Sequence, residues 1–287
     1  YELMGDVYEQ VEAKEPWSVG AAAVTEIGVL TPEAFTPALS RHEVDFRPVM
    51  GVTRMLQEGL SGGGPRYQFD ILGGESDFSP YKVLILPDAI PVDEALKHVM
   101  YMRGMAVEAE ADSDVLADAV APYFDRTYRH YCSHRQTPSS GEVDHPAVVQ
   151  RWRVIYFSHP IFTQYQTKAP RWCKQLVLGA LARLLPEPLV VLEAPTSTLA
   201  MLNAQPDASR SVLHLLHYVP ERRSENFDVI EDVLPIYEIP VSVKVDRSVR
   251  QVRCVPEGGS LEFEVKDGRV HFTVPEVHGH QMVEIGY

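Results

Sequence analysis

The chain has 287 residues, 45% of them hydrophobic and 23% charged, with 26 basic against 40 acidic side chains and a net charge of −14. That length suggests two domains, and that balance is ordinary for a globular protein. A strongly acidic chain lacks the basic face that phosphate backbones and anionic membranes require, so nucleic acid and membrane are not expected partners.

Tyr1 to Lys14 reads as a helix with Leu3, Val7 and Val11 on one stripe, ended by Glu15-Pro16-Trp17. A short helix with one apolar stripe docks on something larger, so residues 1–17 are read as a linker from a preceding domain. The segment is charged and helical and has no basic stub followed by an apolar core. No secretory leader is therefore expected. Three cysteines, Cys132, Cys173 and Cys254, are too sparse and odd in number for a disulfide framework, which points to reduced thiols and a cytoplasmic setting.

Ala21 to Leu30 reads as a strand, Val49 to Gly59 as a helix, Tyr67 to Leu72 as a second strand and Lys82 to Pro87 as a third. The third is apolar throughout, as a strand covered on both faces should be. Strands alternating with helices predict a parallel α/β sheet. The pattern breaks after Pro91 to Lys97, which starts a helix, because Met102 to Glu110 already alternates like a strand. A parallel crossover needs a dozen residues or more, so a central strand is expected to be missing and the chain to be discontinuous near His98.

A strand at Val115 to Val120 follows, then a polar aromatic loop from Asp125 to Thr137. A hairpin pairs Ala147–Val149 with Arg153–Phe157, and a second polar aromatic loop, Ser158 to Tyr165, leads into a helix from Ala169 to Leu185. From Thr198 the period becomes two. Seven short strands are expected, at 198–203, 212–219, 241–245, 249–255, 260–265, 270–274 and 281–285, with turns at Gly258-Gly259 and Asp267-Gly268. This grammar reads as a small β-sandwich. The expected layout is residues 18–192 as a doubly wound domain and 193–287 as the sandwich.

Candidate chemistry is sparse. A class I amidotransferase needs a cysteine on a glycine-flanked strand-to-helix elbow. Cys132 has no flanking glycine, Cys173 lies mid-helix and Cys254 lies on a β-domain strand; Cys173 and Cys254 read as small buried hydrophobes. His134, His145 and His159 lack metal-ligand spacing, and His278 and His280 read as surface residues at a turn, so no metal and no cofactor is expected. Glu26, Asp70, Glu75, Asp77 and Asp88 lie near strand ends and read as caps or loop residues. The loop Asp125 to Arg135 packs three arginines, two histidines and two tyrosines into a strongly acidic chain. Arginine and tyrosine favour interface or sugar contacts. From it Arg126, Tyr131, His134 and Arg135 are candidate contacts, joined by His159 and Tyr165 from the loop at the carboxyl edge of the hairpin.

Several segments resemble a known family: Tyr1 to Trp17, Glu26 to Phe35, Arg54 to Gly59 with Tyr67 to Asp70, Leu84 to Asp88, Tyr131 to Arg135, His159 to Tyr165, His214 to Arg223 and Val274 to Met282. They are similar to the middle and C-terminal domains of bacterial α-L-fucosidases that carry a β-galactosidase trimerisation domain. The resemblance implies a class I glutamine amidotransferase-like (flavodoxin-like) doubly wound sheet, stripped of amidotransferase chemistry, followed by the sandwich. It places the catalytic residues on an upstream (β/α) barrel, so none is expected within this sequence. It further implies a homo-oligomer, with a trimer among the possible sizes, and carbohydrate and the parent's barrel as partners. The expected role is thus non-catalytic, in oligomerisation and at an active-site rim. The alternatives are a portion of a complete fucosidase or β-galactosidase-type enzyme, and a stand-alone sugar-binding protein.

Overall fold

A computed structural model describes residues 2–32, 44–88, 102, 104–124, 127–132 and 137–287. The protein is mixed α/β, with largely antiparallel sheets and few helices. It divides into two compact units. One takes residues 1–27, 55–70 and 185–287; the other takes residues 28–54 and 71–184. The continuity expected to fail near His98 lies outside the described residues.

The first unit is built on two five-stranded sheets. One runs Ala22–Ala23, Thr198–Gln205, Arg210–His217, Gly279–Gly286, Gln251–Val255. The other runs Phe263–Lys266, Arg269–Val277, Ile236–Lys244, Val190–Leu192, Gly64–Arg66. Alternation dictates which side chains meet. Leu213 and Leu215 from the first sheet share one buried core with Val241, Val243, Phe272 and Val274 from the second. The hairpin at Asp267-Gly268 works because both residues take the left-handed conformation, at φ 51° and 71°, as a two-residue turn of matching twist demands.

All seven strands expected after Thr198 are present, within a few residues of their expected ends. Beyond the short pair Glu221–Arg222 and Asp228–Val229, two additions to the second sheet were not expected. Val190–Leu192 pairs with Val241–Val243, and Gly64–Arg66 pairs in turn with Val190–Leu192. Arg66 is fully buried there. It donates to the carbonyls of Thr198, Ala194 and Pro195, and desolvation lowers its pKa to about 10.

The outer face of the first sheet carries a second arrangement. Trp17 donates through Nε1 to Glu284 Oε2 at 2.7 Å, Arg210 reaches the same oxygen at 2.8 Å, and Arg253 reaches Oε1 at 3.0 Å. Burial opposes the charge of Glu284. The hydrogen bonds from Arg253 and Trp17, with both arginine charges, outweigh it, so the carboxyl titrates below its usual range.

The second unit is less regular. Strand Ile27–Leu30, buried along its whole length, lies between Phe69–Leu72 and Val83–Ile85. A β-carbon at Gly28 would displace the side-chain ends of Leu72 and Leu84. A separate antiparallel sheet joins Asp114–Pro122, Ser139–Arg151 and Val154–Phe157, with repeated register shifts in its first pair. The expected Ala147–Phe157 hairpin is part of it.

Three elements differ from the sequence reading. The strand expected over Ala21 to Leu30 is broken into Ala22–Ala23 and Ile27–Leu30, which lie in different sheets, and residues 104–110, which alternate like a strand, form none. The third is the stretch after Ser158, which is not a loop throughout: Ile161–Lys168 is a helix. Pro160 starts it, the apolar positions Ile161, Phe162 and Tyr165 bury one face, and Ala169 stops it in the left-handed conformation at φ 46°. The expected helix therefore begins only at Arg171 and ends at Leu184.

Candidate functional site

The carboxyl ends of strands Val83–Ile85 and Val154–Phe157, which belong to different three-stranded sheets, line one cavity. Asp88 also lines it. Its Oδ2 accepts from Thr163 N at 2.6 Å and from Thr163 Oγ1 at 2.7 Å. It thereby caps the helix Ile161–Lys168 from 75 positions away, supplying the acceptor that the helix's own Pro160 cannot. Desolvation raises the carboxyl's pKa, and the bonds from Thr163 and Phe162 pull the other way. Asp88 takes the left-handed backbone, φ 38°, which aspartate tolerates better than most residues.

Beside it, Ser158 Oγ and His159 Nδ1 share a hydrogen bond of 2.8 Å. The His159 ring stacks on His145 at 5.7 Å between centroids, 13° from parallel, and His145 Nδ1 lies 3.2 Å from the Asp144 carboxylate. Gly104 lies flat against His159, where a β-carbon would overlap the ring. A hydroxyl, two imidazoles and a carboxylate in contact resemble the parts of a nucleophilic relay. Here all the side chains but Asp144 are buried, so the order Ser158, His159, His145, Asp144 is committed to holding the sheet end.

Cys173 lies in the same unit, fully buried on helix Arg171–Leu184. Gln164 Nε2 contacts its Sγ at 3.8 Å. Burial pushes the thiol up to about 12, and a thiol that stays protonated at neutral pH is no nucleophile. Two of the strand-end acids accept local hydrogen bonds. Asp70 accepts from Thr25 Oγ1 at 2.6 Å, and Asp77 accepts from Ser79 N at 2.9 Å and Oγ at 3.0 Å.

The candidate contacts fall into three groups. Arg126, His134 and Arg135 lie outside the described residues. Tyr131 is 70% exposed, near the still more exposed Tyr128, which Arg129 overlies at 5.3 Å from the ring centroid. His159 and Tyr165 are each 4% exposed. Tyr165 sits between two cations, with Arg54 at 5.6 Å and Lys174 at 5.9 Å from its ring. The sequence reading placed His159 and Tyr165 beside the aromatic loop at a surface edge; the structure buries both.

A second histidine pair was missed. His214 and His280 stack at 5.4 Å, 6° from parallel, with His214 Nδ1 3.1 Å from His280 Nε2. Lys14 Nζ lies 3.4 Å from His280 Nδ1, and the Asn203 amide 3.4 Å from His214 Nε2. Desolvation first, then the Lys14 charge, lowers both imidazole pKa values, that of His280 to about 4. His280 had read as a surface residue. Alternation along Arg210–His217 and Gly279–Gly286 was the available signal, since it puts both residues on one face once the two strands pair.

Among the described residues, no helix is long and apolar enough to cross a membrane, and no group of three or more metal-type ligands is present.

No family model matches the chain, and no curated protein matches it. Solved structures do. The chain is similar over 100% of its length to α-L-fucosidase isoenzyme 2 from Paenibacillus thiaminolyticus, at 30% identity and a TM-score of 0.87. It spans about half of that protein, 52%. Gan42B, a GH42 β-galactosidase from G. stearothermophilus, aligns over 99% of this chain and 44% of its own, at 11% identity and a TM-score of 0.49. The fucosidase alignment makes this chain glycoside hydrolase-related in structure.

Proposed function

We propose that this chain is a non-catalytic portion of a carbohydrate-active glycoside hydrolase, acting in oligomerisation and at an active-site rim. The observation that carries the reading is its end-to-end likeness to about half of an α-L-fucosidase. The internal chemistry agrees. The groups that could form a nucleophilic relay are buried, with Ser158 hydrogen-bonded to His159 and His159 stacked on His145. Asp88 is spent on a helix end. In this reading the frame over residues 18–192 is the amidotransferase-like doubly wound sheet, and a sandwich occupies 193–287. The parent's catalytic barrel, further copies of the chain and carbohydrate are the partners.

Exposed Tyr128 and Tyr131, with Arg129 over the Tyr128 ring, favour a second reading in which this loop contacts sugar directly. Both readings are tested on the 287-residue chain. Nitrophenyl α-L-fucoside and β-galactoside are expected to remain intact. Turnover of either that is abolished by Asp88→Asn would overturn the non-catalytic assignment. Light scattering at micromolar concentration is expected to give a mass above that of one chain, and a monomer mass would overturn the oligomerising role. Substituting Tyr128 and Tyr131 by Ala separates the readings: loss of binding on a glycan array supports sugar contact, and loss of oligomer mass supports an interface.

A further inference from the structure

The second unit contains a cavity of about 410 Å³, within the range of small-molecule sites. Strands Val83–Ile85 and Val154–Phe157 form two of its walls, and helix Arg171–Leu184 closes it with Val177, Ala180, Leu181 and Leu184. The walls are apolar and still partly open to solvent. Leu84 is 38% exposed, Leu86 52% and Val154 63%. A strand apolar on both sides is ordinarily covered on both, so this surface lacks a cover among the described residues.

The two ends of the cavity differ in charge. At the end where the strands finish, the polar groups are spent: Ser158 is bonded to His159, and Asp88 to Thr163. Met105, Pro160 and Phe162 complete that end with apolar surface. At the other end stands Arg153, the one cation among the described lining residues, with no acidic partner among them. From Arg153 to Ser158 is five residues of extended chain, about 17 Å at 3.3 Å per residue. A cavity with apolar walls and a guanidinium at the start of one of its strands fits one ligand chemistry.

We propose that this cavity binds a medium-chain aliphatic carboxylate, its head on Arg153 and its chain lying between the two strands toward Met105 and Phe162. Guanidinium is suited to a carboxylate because its planar fork donates two parallel hydrogen bonds. The apolar wall then supplies chain-length dependence, up to about fourfold in affinity for each methylene buried. A saccharide would leave its hydroxyls unpaired against these walls, which is costly.

The test is calorimetric titration of the full 287-residue chain with hexanoate, octanoate and decanoate below their micelle concentrations, beside decanol and octyl glucoside. Affinity is expected to rise along the carboxylate series. Arg153→Gln should weaken decanoate about three- to tenfold, in keeping with a charged pair near solvent, and leave decanol unchanged. Ala180→Trp, which fills the slot, should abolish binding of both. Because that helix position is buried, Val154→Trp at the exposed rim serves as a second block that does not load the core. Equal loss or equal retention of decanoate and decanol in Arg153→Gln would overturn the head-group assignment. Decanoate binding unchanged by both tryptophan variants would overturn the site. Binding of octyl glucoside in preference to decanoate would overturn the ligand class.

Discussion

The two units use similar amounts of apolar sequence in different ways. In the first unit, strands Thr198–Gln205, Arg210–His217 and Gly279–Gly286 pair in unbroken register, and Leu202, Leu213, Leu215, Val283 and Ile285 share one core with the facing sheet. In the other unit, a three-residue strand, Val83–Ile85, and a four-residue strand, Val154–Phe157, each end a small sheet and leave leucine and valine at the surface. The contrast teaches that apolar composition alone does not make a core. Burial on both faces needs a partner at the right distance in the fold; the core between the two five-stranded sheets has it, as do Ile27–Leu30 and the buried faces of helices Ile161–Lys168 and Arg171–Leu184, whereas Leu84, Leu86 and Val154 do not.

The sharpest way to break this comparison is to remove equal volumes from both. Leu213→Ala opens a hole in a fully buried site and should cost about 2–5 kcal/mol in equilibrium urea unfolding. Leu84→Ala removes the same atoms from a half-open wall and should cost under about 1 kcal/mol. Equal costs would mean that the two faces are equally packed.

Glu284→Gln probes the outer face of the first sheet. The substitution leaves Arg210 and Arg253 beside a neutral side chain, and uncompensated buried charge is expensive. Arg253 is partly exposed, which lowers the estimate; about 2–3 kcal/mol is expected. The Glu284 contribution should be present above its unfolded pKa near 4.5 and be lost as pH falls through its lower folded value. A Glu284→Gln variant as stable as the parent at pH 7, but not below pH 4, would contradict this.

The paired histidines have the opposite basis but the same sign in pH. The Lys14 ammonium can only donate, so His280 must present a bare Nδ1 to it. His280 Nε2–H then donates to His214 Nδ1, and His214 Nε2–H faces Asn203, whose amide oxygen must turn toward it. The whole relay requires neutral imidazoles. Their folded pKa values lie below the unfolded 6.5, so the unfolded chain binds more protons between pH 6.5 and about 4. Stability is therefore complete above pH 6.5 and is lost as pH falls toward 4, by up to about 3 kcal/mol from His280. His280→Gln should flatten the stability profile over that window. An unchanged profile would remove the histidines as its cause.

These residues also show what the sequence could disclose. The seven strands after Thr198 were legible because alternation and turn residues are local signals. Helix Ile161–Lys168 was legible in principle, through the proline at its start and the spacing of Ile161, Phe162 and Tyr165. The aromatic and polar content of the stretch pointed instead to a loop. Gly64–Arg66 was not legible: a Gly-Pro-Arg run has no strand propensity, and it is a strand only because Val190–Leu192 offers it an edge. The candidate site behaved alike. Asp88 could be read as a cap, but the helix it caps begins 73 positions later. The stacking of His145 on His159 depends on a sheet with several register shifts, which no periodicity encodes.

The smallest expected effect separates the two units most cleanly. Leu84→Thr keeps a strand-forming side chain but exchanges two carbons for a hydroxyl. In a closed core such a change loses apolar burial and strands a polar group, which together cost several kcal/mol. Leu215→Thr, on the fully buried face of the first sheet, should behave that way. At Leu84 water already reaches the wall of the cavity, so the hydroxyl keeps a partner and little burial is lost. The change should lie within about 0.5 kcal/mol of the parent in urea unfolding. The same variant should bind decanoate less tightly, because the lost methyl groups face the proposed chain. A near-zero stability change with weakened binding would mark this wall as a surface kept apolar for its occupant. A large stability loss with no change in binding would make it ordinary core, and would reduce the difference between the units to one of regularity alone.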